Sequence, residues 1–436
     1  MVLSTQKSEK IVMDKFIIEG GNMLHGTVRI SGAKNAALPA MAAALLTNED
    51  VHLNRVPSLA DVSTMVALLG KMGVRTDGPG SGPLSMSMTI NASGINTYEA
   101  PYDLVKTMRA SVLVLGPLVA RYGSARVSIP GGCAIGSRPI DLHLKGLAAL
   151  GARVSMYHGY IDVTARQLKG TRISFDTITV TGTENLIMAA SLAHGTTVLE
   201  NAAREPEVVS LVDQLVRMGA RIHGAGTATV TIEGVDRLHG CSMDIIPDRI
   251  EAGTYMIAAA AAGGEVEIAD CSPDHVRALL TMMRAAGIDY NETDHGVVVR
   301  KERSARIKSL NVKTMPYPDF PTDLQAQLMA LMTQGDGTSA IAETIFENRF
   351  MHVPELRRMG ADIRTQGNVA IVRGETKLMG AQIMATDLRA SASLVIAGLI
   401  AEGTTEVSRI YHLDRGYEFM ENKLSGIGAR LKRVKT

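Results

Sequence analysis

The heptapeptides RMGARIH (217–223) and RMGADIR (358–364) are two copies of one phrase: the apolar end of a helix, a glycine, then a strand. Four more copies stand in the chain, KMGVRT (71–76), ALGARVS (149–155), AAGIDY (285–290) and GIGARLK (426–432). The pivotal residues Gly73, Gly151, Gly219, Gly287, Gly360 and Gly428 recur about every 70 residues, the mark of a repeated supersecondary unit. Glycine suits the position because a helix C-terminus commonly ends on a left-handed residue.

Upstream of these phrases, Ala-rich helices end in small turns that feed β-branched strands: LAHGTTVLEN (192–201), AAGGEVEIAD (261–270), QGDGTSAIAE (334–343) and AEGTTEVSRI (401–410). Each unit therefore reads helix, strand, helix, strand, with a further strand between units. Leu-x-Gly at Leu24, Leu168, Leu238 and Leu378 opens units one, three, four and six, whereas Pro101-Tyr102 and Pro316-Tyr317 open units two and five. The second half thus repeats the first at a period of about 210 residues. This order predicts two similar α/β domains of three units each, with the chain crossing between them near Pro247.

The whole chain sets bounds on function. Its 436 residues allow two or more domains, and 46% hydrophobic content indicates a globular protein. Lys plus Arg is 45 against 44 for Asp plus Glu, a balance that argues against a general binder of nucleic acid or acidic membrane. Cys133, Cys241 and Cys271 cannot all pair, and no C-x-x-C spacing suggests a metal, so a reducing compartment is expected. The polar start MVLSTQKSEK has no apolar core of a secretory signal. The apolar runs near Ala258 and Val395 are short and Gly-flanked, which fits buried helices rather than spans. The expectation is a cytoplasmic protein. Residues 1–12 are read as a disordered tail or an over-called start.

Charge concentrates where the buried helices begin. The openings carry Lys34 in GAKNAALP, Lys106 and Arg109 in YDLVKTMRAS, Glu184 in TGTENLIM, Arg249 and Glu251 in PDRIEAGT, Asp323 in PTDLQAQ, and Asp387 and Arg389 in TDLRASAS. Helix N-termini favour anions. If the helices of both domains point the same way, they line one shared cleft that Lys34, Arg109 and Arg389 make positive. Ordinary first-turn duty would explain Asp323 and Asp387 as caps. It explains the cations badly, since a helix N-terminus repels them unless an anion is present. The loop VSIPGGCAIGSRPIDLH (127–143) places Cys133 among small residues with Arg138 five residues on. A thiol beside guanidinium groups is a tunable acid or nucleophile; the alternative is a small buried hydrophobe. Cys241 and Cys271 lack such a setting and read as structural. Asp323, fixed by three preceding prolines in TMPYPDFPTDLQAQ (314–327), is either a helix cap or a general base. ETIFENRFMH (343–352) reads as a binding loop.

Taken together, GAKNAALP (32–39), APYDLVKTMRAS (100–111), PGGCAIGSRPIDLH (130–143), ENAAREPE (200–207), FPTDLQAQ (320–327), TIFENRFMHVPELRRMGA (344–361), MATDLRASASLV (384–395) and IYHLDRGYE (410–418) resemble the UDP-N-acetylglucosamine 1-carboxyvinyltransferases, a branch of the enolpyruvyl transferase family. The resemblance runs from Met13 to the C-terminus. It implies two inside-out α/β barrel-like domains of three βαβαββ repeats each. One would hold residues 13–33 plus 248–436, the other residues 34–247 with the Cys133 loop, with the active site between them. It implies transfer of the enolpyruvyl group of phosphoenolpyruvate to the 3′-hydroxyl of UDP-N-acetylglucosamine, with release of phosphate. That is the first committed step of peptidoglycan synthesis, and no cofactor or metal is implied.

By the same resemblance Cys133 is the proton donor and Asp323 the base. Lys34, Arg138 and Arg415, helped by Arg389, hold the phosphate and carboxylate of phosphoenolpyruvate. Asn35 and Arg109 lie between the substrates. Arg138, Pro139, Ile140, Asp141 and Leu142 cradle the uridine. Thr179, Val180 and Thr181 approach the diphosphate, Ile345 touches the nucleotide-sugar, and Glu205 and Arg349 support the site. The Cys133 position is Asp in some members of the family. Two rivals remain: the sister enolpyruvyl transferase of the shikimate pathway, which lacks the PGGCAIGSRP loop, and a bilobed solute-binding protein, against which the loop thiol and the missing signal sequence count.

Overall fold

The computed structural model describes residues 14–78, 86–129 and 140–435. All six pivotal glycines are left-handed, with φ between 79° at Gly287 and 100° at Gly219 and Gly360, and each follows a helix and precedes a strand.

Six four-stranded sheets share one strand order. The third unit shows the pattern. Strand Arg172–Ser174 precedes the buried helix Val180–Ala190 and lies parallel to Thr196–Glu200, which follows it. Thr229–Glu233 pairs antiparallel with that strand, and Arg221–His223, just after Gly219, forms the edge. The same order recurs around Ser124–Ser128 and around Thr338–Ala342.

In the other three units the chain exchanges strands. Leu24–Arg29 was expected to open unit one, but it pairs with Gly264–Ala269 of unit four. Conversely Cys241–Asp244, after the Leu-x-Gly at Leu238, pairs with Val51–Val56 of unit one. The two leading strands are thus swapped relative to the sequence order. The sixth sheet is completed by the N-terminal strand Lys15–Glu19, between Thr404–Ser408 and Arg430–Val434. Strand partners are chosen by hydrogen bonding across hundreds of residues, which periodicity along the chain does not encode.

Two hydrophobic cores result. One is drawn from residues 33–245, the other from residues 16–30 and 250–429. The chain passes between them twice, at one place. Ala33 N donates to Ile246 O at 2.7 Å and Asp248 N to Ser31 O at 2.9 Å, on either side of the Gly32–Pro247 bridge. A Cβ at Gly32 would lie 1.9 Å from Arg55 O, so the crossing admits no side chain there.

Each core is built on helices that are buried around nearly their whole circumference and are mostly apolar, as helices covered on all sides must be. In the second core, helices Arg249–Ala262, Gln325–Met332 and Leu388–Ile400 pack on one another, and every residue of Gln325–Met332 is buried. Alanine and glycine let them approach closely: a Cβ at Gly253 would come within 2.6 Å of the Leu324 side chain. The sheets lie outside these helices, so the layers are inside-out. Among the described residues no helix is long and apolar enough to cross a membrane.

Candidate active site

The charged helix openings sort into groups. Lys34 begins helix Lys34–Ala43, which has no acidic residue in its first turn. Its Nζ donates to Asp61 Oδ2 at 3.1 Å, and Arg415, from the opposite core, donates to Asp61 Oδ1 through Nε at 2.9 Å. Burial, and then the cations Arg389 and Arg415, hold the Lys34 ammonium below its ordinary pKa against the pull of Asp61. For Asp61, burial is the largest influence and acts upward, but Lys34 and Arg415 together carry it below the usual carboxylate range.

The second group surrounds Asp323, in the turn Thr322–Leu324. Arg349 Nη2 donates to its Oδ1 at 2.7 Å and Arg389 Nη2 to its Oδ2 at 2.9 Å. Both guanidinium side chains are nearly inaccessible while the Asp323 side chain is 26% exposed, so the carboxylate is backed by buried charge and still reaches the surface. Arg389 also donates to Tyr417 Oη at 3.3 Å, and Gln327 Nε2 lies 3.1 Å from the same oxygen. Burial would lower the Arg389 pKa, yet Asp323 and Tyr417 raise it overall. Because Arg389 acts on both Lys34 and Asp323, the two groups share one field.

A third group joins the cores behind these. Arg249 Nε donates to Glu207 Oε1 at 2.9 Å, with Glu205 and Glu184 nearby. Burial, then Glu207 and Glu205, push Glu184 well above the ordinary carboxylate range; Glu205 is raised too, chiefly by burial. Glu184 was expected at a cleft-lining helix opening. It is 1% exposed, turned into the protein.

The remaining expected residues are spread more widely. Arg109 opens the turn Arg109–Val114, and Lys106 is on the surface, paired with Asp103 at 2.7 Å. The second-unit opening is not one helix but Tyr102–Val105, that turn, and Leu115–Tyr122. Asn35 is the second residue of its helix and half-buried. Ile140 and Leu142 pack on the first core, while Asp141, between them, is exposed in the first turn of Asp141–Ala149. Thr179 caps helix Val180–Ala190 by accepting from Gly182 N at 3.2 Å. Thr181 Oγ1 lies 3.2 Å from Nε2 of buried His143, which burial pushes down to about 4. Ile345 is exposed, with its N–H on Glu343 Oε1 at 2.8 Å. Asp387 caps its helix, accepting from Arg389 N at 2.9 Å. Cys133, Arg138 and Pro139 lie outside the described residues, as does the 1–12 tail.

Sequence reasoning missed Asp61, Glu207, Gln327 and Tyr417. Glu207, Gln327 and Tyr417 lay within quoted motifs without a role; Asp61, in an amphipathic helix, looked like any first-turn acid.

Buried helices under six equivalent sheets, with cations and carboxylates converging from both cores, make a site suited to anionic ligands. The chain belongs to the EPSP synthase (3-phosphoshikimate 1-carboxyvinyltransferase) family, whose model matches residues 18–424. Within it, the chain is 56% identical to the UDP-N-acetylglucosamine 1-carboxyvinyltransferase of Geotalea daltonii over 97% of its own length and all of the relative. It is 58% identical to that of Myxococcus xanthus over the same shares. The crystal structure of the enolpyruvyl transferase NikO from Streptomyces tendae superposes with a TM-score of 0.86 at 26% identity, covering 98% of this chain and all of that one. EPSP synthase from Acinetobacter baumannii shares the fold, with a TM-score of 0.74 at 18% identity over 97% of this chain and all of that one.

Proposed function

We propose that this protein transfers the enolpyruvyl group of phosphoenolpyruvate to the 3′-hydroxyl of UDP-N-acetylglucosamine, the step that commits sugar nucleotide to peptidoglycan and so serves cell-wall growth and division. The observation that carries this reading is the full-length match, at 56% identity or more, to relatives of that name. The proposed setting is the cytoplasm, and the proposed catalytic body is the cleft between residues 34–247 and residues 13–33 plus 248–436.

The chemistry needs three things: a proton for the methylene carbon, a base for the sugar hydroxyl, and cations for phosphate and carboxylate. In addition, the sugar oxygen bonds to C2 of phosphoenolpyruvate while C3 takes a proton from Cys133 and Asp323 accepts the hydroxyl proton. In elimination, C3 returns a proton to the Cys133 thiolate, the C2–O bond to phosphate breaks, and the proton taken up by Asp323 leaves with the phosphate. Asp323 suits the base because it is fixed on both oxygens yet remains part-exposed. Lys34, Arg389 and Arg415 supply charge from both sides of the cleft, with Arg138 from the Cys133 loop. Asn35 and Arg109 are assigned between the substrates, Arg138 to Leu142 to the uridine, Thr179 to Thr181 to the diphosphate and Ile345 to the nucleotide-sugar. Glu205 and Arg349 take supporting roles; Arg349 is suited by its bond to Asp323.

The test is phosphate release with each substrate alone and both together. Release that requires phosphoenolpyruvate and UDP-N-acetylglucosamine jointly supports the proposal. Release with shikimate 3-phosphate in place of the sugar nucleotide would assign the chain to the sister reaction.

A further inference from the structure

One buried carboxylate in the proposed site has no part in the chemistry assigned above. Asp61 is 5% exposed and sits in the first turn of helix Ala60–Lys71. It accepts from Lys34 Nζ at 3.1 Å, and from Arg415 Nε at 2.9 Å and Nη2 at 3.5 Å. Lys34 opens a helix of the first core, whereas Arg415 ends the turn Ile410–Arg415 of the second. A single carboxylate therefore spans the cleft. Just before the same helix, Ser58 N donates to Glu418 Oε1 at 2.6 Å, a second contact across the gap.

We infer that Asp61 is the resident counter-anion of the phosphate pocket, a positioning residue that keeps Lys34 protonated and aims Arg415 across the cleft at it. The inference rests on the reading of Lys34 and Arg415 as ligands of phosphoenolpyruvate. Without Asp61, a buried ammonium would face two guanidinium groups, and the remaining carboxylate, Asp323, is already engaged by Arg389. Burial and cationic neighbours both favour the neutral amine, which binds phosphate poorly.

The pocket keeps capacity for its ligand. Asp61 occupies one direction of an ammonium that has three donors, and it leaves the Arg415 Nη1 group for other acceptors. With Arg389 paired to Asp323, the one negative charge of Asp61 against the two positive charges of Lys34 and Arg415 still leaves a net attraction for a phosphate dianion.

Among the described residues the charged groups that act most strongly on Lys34 are Asp61, Arg389 and Arg415. Of the elements packed along its helix, Ala60–Lys71 carries Lys71 besides Asp61, Val51–Val56 carries His52 and Arg55, Arg109–Val114 carries Arg109, and Pro206–Arg217 carries Glu207, Asp213 and Arg217, with Glu207 paired to Arg249.

The full chain carrying Asp61→Asn keeps the size of the side chain and removes its charge. Two measurements are compared with wild type: the pH dependence of kcat/KM for phosphoenolpyruvate, and the pH dependence of Lys34 acylation by an amine reagent, read by mass spectrometry. The Lys34 pKa should fall, so activity lost as pH rises through it is lost earlier. The alkaline limb and the acylation midpoint should both move down by about one to three pH units. KM for phosphoenolpyruvate should rise while KM for UDP-N-acetylglucosamine stays near wild type. Asp61→Glu retains the charge, so its acylation midpoint should stay with wild type even though its reach alters KM. An unchanged midpoint in Asp61→Asn overturns the inference; should that variant fail to fold, a lowered midpoint in Asp61→Glu overturns it instead. Acylation requires no turnover. An inactive wild-type protein with the expected difference in midpoint would therefore sink the reaction and leave the role of Asp61 standing.

Discussion

Asp323 shows how one side chain separates two roles that its sequence position leaves open. Its oxygens accept from Arg349 at 2.7 Å and Arg389 at 2.9 Å, which fixes the carboxylate without burying it. Asn at this position keeps the shape but offers an amide N–H where one guanidinium needs an acceptor, and it cannot take up a proton. Asp323→Asn should lose about 10²- to 10⁴-fold in kcat, with circular dichroism and KM for UDP-N-acetylglucosamine close to wild type. Turnover within about tenfold of wild type would make Asp323 a structural clamp, since general-base loss is larger than that. Lys34, Asp323 and Arg389 were legible because a charge at the start of an otherwise apolar helix breaks the local pattern. Asp61 was not: it lies 27 residues from Lys34 and 354 from Arg415, in a helix where an acid in the first turn is ordinary. The remaining described thiols are held quiet by burial, which pushes Cys271 up to about 11 and raises Cys241 as well.

At the scale of elements, the repeated phrase is a helix stop. The left-handed glycine ends each helix and turns the chain into an edge strand, and all six copies share that geometry. Gly151 isolates the backbone contribution, because a Cβ there would meet nothing within 4 Å although φ is +93°. Gly151→Ala should therefore cost about 1–2 kcal/mol, the left-handed penalty alone. Gly70, in the last turn of Ala60–Lys71, also has nothing within 4 Å but has no left-handed φ. Gly70→Ala should instead stabilise by about 0.5–1 kcal/mol, since alanine loses less backbone freedom. Urea unfolding of the pair checks both signs, and a neutral Gly151→Ala would show that the stop does not need glycine. Periodicity revealed these stops and the Ala-rich helices because both are local. The broken second-unit opening escaped it, since tertiary packing decides there where helix gives way to turn.

At the scale of the whole molecule, the two cores are joined by the double crossing at Gly32–Pro247 and by buried charge. Arg249 reaches from the second core to Glu207 of the first, beside Glu205 and Glu184. Removing one member of such a buried pair leaves an uncompensated charge, whereas replacing both with apolar groups relieves it. Arg249→Met should cost about 3–5 kcal/mol, and adding Glu207→Met should recover most of that; denaturant unfolding of the single and double variants measures it, and a double variant no better than the single would show that the pair is not what joins the cores. The sequence by itself determined the six units, their grouping in threes, the helix stops and the charged openings that carry Asp323 and Arg389, because repetition, turn chemistry and apolar periodicity act over a few neighbouring residues. Only the tertiary structure decided that Leu24–Arg29 and Cys241–Asp244 exchange sheets, that Lys15–Glu19 completes the sixth, and that Asp61 bridges Lys34 to Arg415. Those are pairings between distant segments, fixed by hydrogen-bond partners and by charge compensation in a buried cleft, and neither leaves a trace in the spacing of residues along the chain.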